Sequence, residues 1–461
     1  MNFLRCTIIL ILLFTTSCKT DQTIQEDLVV LPPRIDKQEV KRRFLDLPFD
    51  SEQEIKIALL LPLSGKHQKL GKDLYNAAQL AMFDHGDPRI VIYPFDTKGS
   101  DFTAISVMEE VLDKNIKYVI GPVFSKNLEA IKPIVKQHGL TVFSFSNNQD
   151  IVEPNIYTLG LNVRQQIERL VSYSQQNGYE YFTALAPGNA YGSQLVDTLR
   201  NSTPADAVLK TEFYAPNQDI KVNLRRLLRT LNESPVDEEG QPLFVAAEDL
   251  PEAKTLEVTG EAVLEGVNIA AEQDPLVASE EFDFASETQA RDISEFKRAL
   301  LIADSSVRLK SIAEYLKENN LSENIKILGM SEWDNNKYLT SKVFDNGWYA
   351  DLPKENYLLF EDHFLEEFGY LPNKIAGYAY DIISVISSLA AYYDQGDVFD
   401  LQRLNNPVGF SGISGVFRFK QDGSTERLLD IYEIINGISS TVDPAPFQFG
   451  LRQENTLIIN N

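Results

Sequence analysis

Thiols, imidazoles and positive charges are all scarce in this chain. Of 461 residues only Cys6 and Cys18 are cysteines, so the fold is not a disulfide-framed miniature. The four histidines, His67, His85, His138 and His363, include no pair at metal-ligand spacing and no H-E-x-x-H pattern, which argues against a zinc site. A G-x-S-x-G elbow, a phosphate-binding G-x-x-x-x-G-K-[ST] loop and a G-x-G-x-x-G after a strand are all missing. The sequence therefore offers no catalytic constellation, and the expectation is a protein that is not an enzyme and needs no cofactor. Lys plus Arg number 43 against 67 Asp plus Glu, a net charge of -24. Such a balance repels phosphate backbones, which excludes nucleic-acid binding through a basic surface. No apolar run reaches membrane-spanning length.

What is present begins with an export signal. Arg5 precedes the short apolar stretch Thr7 to Phe14, and Thr15-Thr16-Ser17 supplies small residues before Cys18, so residues 1–17 read as a cleaved secretory signal. Residues 18–54, with Pro32-Pro33 and the charged run Lys37 to Arg43, read as a tether. From Ile55 onward short apolar strands alternate with amphipathic helices. Ile55 to Leu61 runs into the turn Pro62-Leu63-Ser64-Gly65, and Leu74, Ala78, Ala81 and Met82 fall on one face of the helix that follows. The alternation continues through strands at Ile90, Tyr118 and Thr141, and again through strands at Tyr181, Val208, Ala299 and Ile325. It predicts an α/β fold of two doubly wound, parallel-sheet lobes. At the end of the chain, Gly415 to Phe419 and Leu428 to Ile435 read as a hairpin around Asp422-Gly423.

One segment breaks the rhythm. Residues 233–295 hold eighteen acids against Lys254 and Arg291, a local charge of -16 that leaves only -8 for all other residues. The segment reads as an acidic, disordered insertion, with at most a weak strand at Leu243 to Ala246.

Several stretches, in this order along the chain, resemble the type 1 periplasmic-binding fold of the leucine/isoleucine/valine-binding class. They are Ile57 to Gly65 with Gly71, Tyr118 to Ser125, Ser144 to Asn148, and Ala190-Tyr191-Gly192. Together with Gly329 to Asp334, Tyr378 to Asp381, Gly412 to Asp422 and Asp443 to Pro446, they resemble the alphaproteobacterial lipoproteins called penicillin-binding protein activators. The resemblance implies lipidation of Cys18 and anchorage at the membrane in the periplasm. It implies two lobes joined by hinge strands: 55–158 and 351–405 in the first, and 159–232, 296–350 and 406–449 in the second, with 233–295 inserted. It further implies a partner, either a peptidoglycan synthase or the permease of an ABC transporter, with a small amino acid as a possible ligand. Ser125, Ser146, Asn147 and Asn148 match the solute-contacting positions of amino-acid receptors. Tyr191 matches an aromatic contact from the second lobe, and Glu332 the carboxylate that pairs with a ligand ammonium. The plainer readings remain open: Ser125 as a helix cap, Asn147-Asn148 as a turn, Tyr191 as a turn aromatic, Glu332 as a surface acid, with Phe124 and Trp333 able to fill the cleft.

Overall fold

The computed structural model describes residues 29–30, 54–215, 218–232, 297–319, 325–334, 336–392 and 401–450. Cys18, the signal, most of the tether and the acidic segment 233–295 lie outside the described residues. So does the weak strand expected at Leu243.

Strand β1 (Val29–Val30) stands apart from the main alternation. The first sheet comprises β2 (Ile55–Leu61), β3 (Ile90–Asp96), β4 (Tyr118–Ile120), β5 (Thr141–Ser144) and β6 (Ile156–Thr158). All neighbours are parallel, in the order β3-β2-β4-β5-β6. Its crossovers are helices α1 (Gln68–His85), α2 (Asp101–Asp113) and α3 (Ser125–His138). The apolar run Ile57 to Leu61 is wholly buried because helices cover both faces of β2. Gly71 lets α1 sit against the strand end, since a Cβ there would lie 2.2 Å from the Pro62 carbonyl oxygen.

A second alternation follows: α4 (Val163–Gln176), β7 (Tyr179–Pro187), α5 (Ala190–Asn201), β8 (Val208–Tyr214), α6 (Ile220–Asn232), β9 (Lys297–Ile302), α7 (Arg308–Glu318), β10 (Ile325–Gly329) and β11 (Trp348–Asp351). Helix α4 starts at an asparagine cap, with the Asn162 side chain accepting from Gln165 N at 2.9 Å. The chain then returns to the first sheet through α8 (Glu355–Phe368) and α9 (Ala376–Tyr392), and α9 packs along α1.

The tail departs from the expected hairpin. Strand β12 (Phe410–Gly412) pairs with β13 (Gly415–Phe419), and β13 turns through Asp422-Gly423 into β14 (Thr425–Arg427). The segment expected as the second arm forms β15 (Asp430–Ile435), which runs antiparallel to β11 and is flanked by β16 (Ile438–Asp443). These strands complete a seven-stranded sheet, β16-β15-β11-β10-β9-β7-β8. Residues 406–449, expected to lie together in the second lobe, are thus divided. The 410–427 ribbon packs on the first sheet, where Phe419 sits 5.4 Å from Phe143 and 5.1 Å from Tyr157, ring to ring. The reason is its apolar load: Phe410, Phe417 and Phe419 need cover on a ribbon too small to bury them itself. The ribbon's outer edge pairs in parallel with β1.

Arg427 fastens this ribbon to the crossing between the sheets. Its buried guanidinium donates to the Leu159 carbonyl at 2.8 and 3.2 Å and to Ser414 Oγ at 3.0 Å. It also lies over the Tyr378 and Phe417 rings, at 4.7 and 4.8 Å. The Ser414 hydroxyl in turn donates to the buried carboxylate of Asp381 on α9. Removing one member of such a network leaves the others buried and underpaired. Arg427→Met should therefore lower the unfolding free energy by about 3 kcal/mol, read by urea titration; a loss below about 1 kcal/mol, the size of an ordinary exposed pair, would contradict this account.

Candidate functional site

A cleft of about 500 Å³ opens between the strand ends of the two sheets. On the first side, strand β4 ends in Gly121 and the cis-peptide-linked Pro122, and the chain then enters α3. Ser125 is the first residue of that helix. It does not cap it; its Oγ lies 2.8 Å from Ser146 Oγ. The loop carrying Ser146 is held from several directions. Ser146 N donates to Ser144 Oγ at 3.2 Å, Ser144 Oγ donates to the Pro122 carbonyl at 2.7 Å, and the Ser146 carbonyl accepts from Gly160 N at 3.1 Å. Ser125, Ser146 and Asn147 all line the cleft, together with Phe124. Asn148 does not: its side chain accepts from Asp150 N at 2.9 Å and caps a short turn. Proximity in sequence placed it with the site, but the adjoining turn engages its side chain instead.

The opposite wall comes from the second sheet. Asn189 caps α5 by accepting from Gly192 N at 3.0 Å, and a Cβ at Gly192 would lie 1.9 Å from the Pro187 carbonyl oxygen. The close approach that only glycine permits places Tyr191 at the cleft, half-buried. Burial, the nearby Glu332 carboxylate and Tyr214 hold its phenol above the usual tyrosine range. Glu332 also lines the cleft and is exposed. Trp333, next to it, is directed away into the core. It is 1% exposed and donates from Nε1 to the Asp304 carbonyl at 2.8 Å. Gly329 makes room for the indole, since a Cβ there would fall 2.0 Å from the ring.

The cleft also holds residues that sequence reasoning did not assign to it: Gln166, Asp334, Asp351, Lys374 and Tyr378. Gln166 Oε1 accepts from Ser331 N at 2.8 Å, tying α4 to the Glu332 turn. Tyr378 accepts through its hydroxyl from Leu161 N at 3.3 Å. Asp351, at the end of β11, has a fully buried side chain that accepts from Leu352 N at 2.8 Å and pairs with Lys374 Nζ. Burial pushes its carboxyl up, and the Lys374 ammonium opposes that shift. Lys374 leads into α9, which packs along the crossover helix α1 of the first sheet, and it also lies 3.5 Å from Asp334, in the turn after β10. Asp334 is paired as well with Lys354 and accepts from the Tyr349 hydroxyl at 3.2 Å. Charged side chains from both sides therefore meet across the cleft and neutralise one another. Among the described residues no cluster of His, Cys, Asp and Glu is arranged to hold a metal ion.

The sequence model of the periplasmic binding protein family matches residues 54–437. The chain belongs to that family. Among solved members of this fold, a putative branched-chain amino acid ABC transporter protein from Rhodospirillum rubrum superposes with a TM-score of 0.62 at 13% identity. That match covers 84% of this chain and 100% of the other. LpoA from Haemophilus influenzae superposes with a TM-score of 0.55 at 16% identity, covering 85% of this chain and 59% of that one. By sequence, the penicillin-binding protein activator LpoA of Vibrio cholerae is 26% identical over 184 residues, 38% of this chain and 29% of that protein. An uncharacterized protein of Rickettsia prowazekii is 24% identical over 171 residues, 36% of this chain and 45% of its own length. The regions matched by sequence thus span less than half the length of these two curated relatives. The alternation of helices and parallel strands read from the sequence is the periplasmic binding protein fold.

Two outcomes test the electrostatics of the site. Lys374→Met should destabilise the protein by roughly 3 kcal/mol, because it strands the buried Asp351 carboxylate, and adding Asp351→Asn should recover a large part of that loss. Equal destabilisation in the single and double variants would contradict the pairing. Asp304 supplies the pH dependence. It is buried, yet hydrogen bonds from Ser306, Arg308 and Tyr214 outweigh the burial and hold its carboxyl below the usual range. A depressed folded value means that its contribution is complete above about pH 4 and is lost as pH falls through the folded value. The acid limb of thermal stability should accordingly be shallower in Asp304→Asn than in the parent; an unchanged limb would remove Asp304 from the account.

Proposed function

We propose that this chain is a non-catalytic binding protein of the bacterial envelope that activates a penicillin-binding protein in peptidoglycan synthesis. The observation that carries this reading is the pattern of relatives. Those matched through sequence include penicillin-binding protein activators of the Vibrio lineage at 26% identity, whereas the solute receptors are alike in fold at 13 to 15% identity. The cleft supports the same reading, because Lys374, Lys354, Asp334 and Asp351 pair with one another. A charged solute would have to displace pairs already made. In this reading Cys18 is lipidated after removal of 1–17, and 18–54 tethers the body to the membrane on the periplasmic side. The first lobe is 55–158 with 351–405 and the 410–427 ribbon. The second is 159–232, 296–350 and the rest of 406–449, and carries the acidic insertion 233–295.

The Ser125–Ser146 hydroxyl pair at the start of α3 favours a second reading, a receptor delivering branched-chain or related amino acids to an ABC permease. A helix N-terminus with two hydroxyls suits a carboxylate, with Asn147, Tyr191 and Glu332 completing the contacts. The two readings separate in one pair of measurements. Under the first, the purified chain raises the rate of peptidoglycan synthesis by its own penicillin-binding protein several-fold, and no free amino acid shifts its melting temperature. An unchanged synthesis rate, with a melting shift for one amino acid that Glu332→Ala abolishes, would overturn it in favour of the second.

A further inference from the structure

Helix α8 carries apolar residues on both of its faces, although only one of them is packed. Its inner face is aromatic: Phe360 and Phe364 are buried, and the Phe360 ring lies 5.3 Å from that of Tyr380 on α9. On the opposite side Leu358, Asp362 and Leu365 fall at i, i+4 and i+7, flanked by Leu359, Glu355 and Glu366. The three leucines are 54%, 67% and 41% exposed in the order Leu358, Leu359, Leu365. An amphipathic helix on a protein surface normally turns one apolar stripe inward and a polar face outward, so a second leucine stripe marks a surface that associates. Its charge restricts the partner. The helix bears five acids and no lysine or arginine. Among the described residues no lysine or arginine pairs with Glu355, Asp362 or Glu366.

We infer that the outer face of α8 docks a basic amphipathic segment of the penicillin-binding protein, with leucines meeting its apolar side and Glu355, Asp362 and Glu366 meeting its lysines and arginines. This rests on the activator reading. An acidic leucine face repels anionic bilayers and nucleic acid, and it selects a cationic, partly apolar protein surface by complementarity. The segment would lie along the helix in the groove-docking manner of amphipathic recognition. The face belongs to the side of the molecule built on the first sheet and is separate from the interlobe cleft.

The test measures binding of the purified penicillin-binding protein to the full chain, to Leu358→Asp/Leu359→Asp and to Asp362→Lys/Glu366→Lys. All four positions are on the exposed face, and thermal melting checks that each variant is folded. The inference expects at least about tenfold weaker binding by each variant. It also expects parental affinity to fall between about 50 and 300 mM salt, with a shallower dependence in the charge-reversed variant. Parental binding that both folded variants retain unchanged would overturn the docking surface while leaving the activator reading intact. Absence of binding by the parental chain would instead overturn the activator reading and this inference with it. A dimer of the chain alone that the leucine variant dissolves would assign the face to a second copy and overturn the inference.

Discussion

The structure turns on a carboxylate that has no access to water. Asp351 ends the strand where the chain leaves the seven-stranded sheet for the first sheet, and its side chain is completely buried. A charge in that position is tolerable only with a partner held against it. Lys374 is that partner, and to reach Asp351 the loop before α9 must lie over the cleft. The same ammonium approaches Asp334 from the other side, so one lysine fixes the relation between a crossing strand, a cleft-edge loop and the turn that carries Glu332. Arg427 performs a related task at another crossing, where it binds the Leu159 carbonyl and, through Ser414, the buried Asp381. These crossings are therefore organised by buried charges that act across elements distant in sequence.

This arrangement bears on what the cleft can do. Receptors of this fold close on a solute by hinge motion, and that closure needs a ligand that interacts more favourably with one arrangement of the lobes than with another. Here the lobes are connected by the protein's own ion pairs, at Lys374 to Asp334 and through Lys354. Polar groups remain at the Ser125–Ser146 end, but the charges at the Asp351 end are mutually engaged. A body whose lobes are held by internal pairs is suited to presenting fixed outer surfaces to a protein partner. The exposed leucines of α8, the chain's net negative charge and the match to activator proteins agree with that use.

Much of the fold was legible in the sequence because its signals are local. Apolar runs such as Ile57 to Leu61, the Asn162 cap and the glycine after Tyr191 each report a nearby backbone requirement. The cleft was legible in part. Ser125, Ser146, Asn147, Tyr191 and Glu332 line it because strand-end loops of a parallel sheet face the crevice. Asn148 does not line it, because its side chain caps the short turn that begins at the next residue. Lys374 and Asp351 gave no local signal: one precedes an apolar helix and the other ends a strand, and their pairing exists only in three dimensions. That the 410–427 ribbon packs on the first sheet, although it was expected with the second lobe, has a similar reason. Its alternating phenylalanines announce a buried face without saying which surface buries it, and only the contacts to Phe143 and Tyr157 decide that.

The central claim is that internal ion pairs, rather than a captured solute, set the relation of the two lobes. It is tested most directly by the distance between spin labels at the exposed positions Lys69 on α1 and Asp197 on α5, in a chain whose Cys6 and Cys18 are replaced by serine. The account predicts a single narrow distance distribution that free amino acids leave unchanged and that broadens when Lys374 is replaced by methionine. A broad distribution in the parental chain, narrowed by an amino acid, would contradict it.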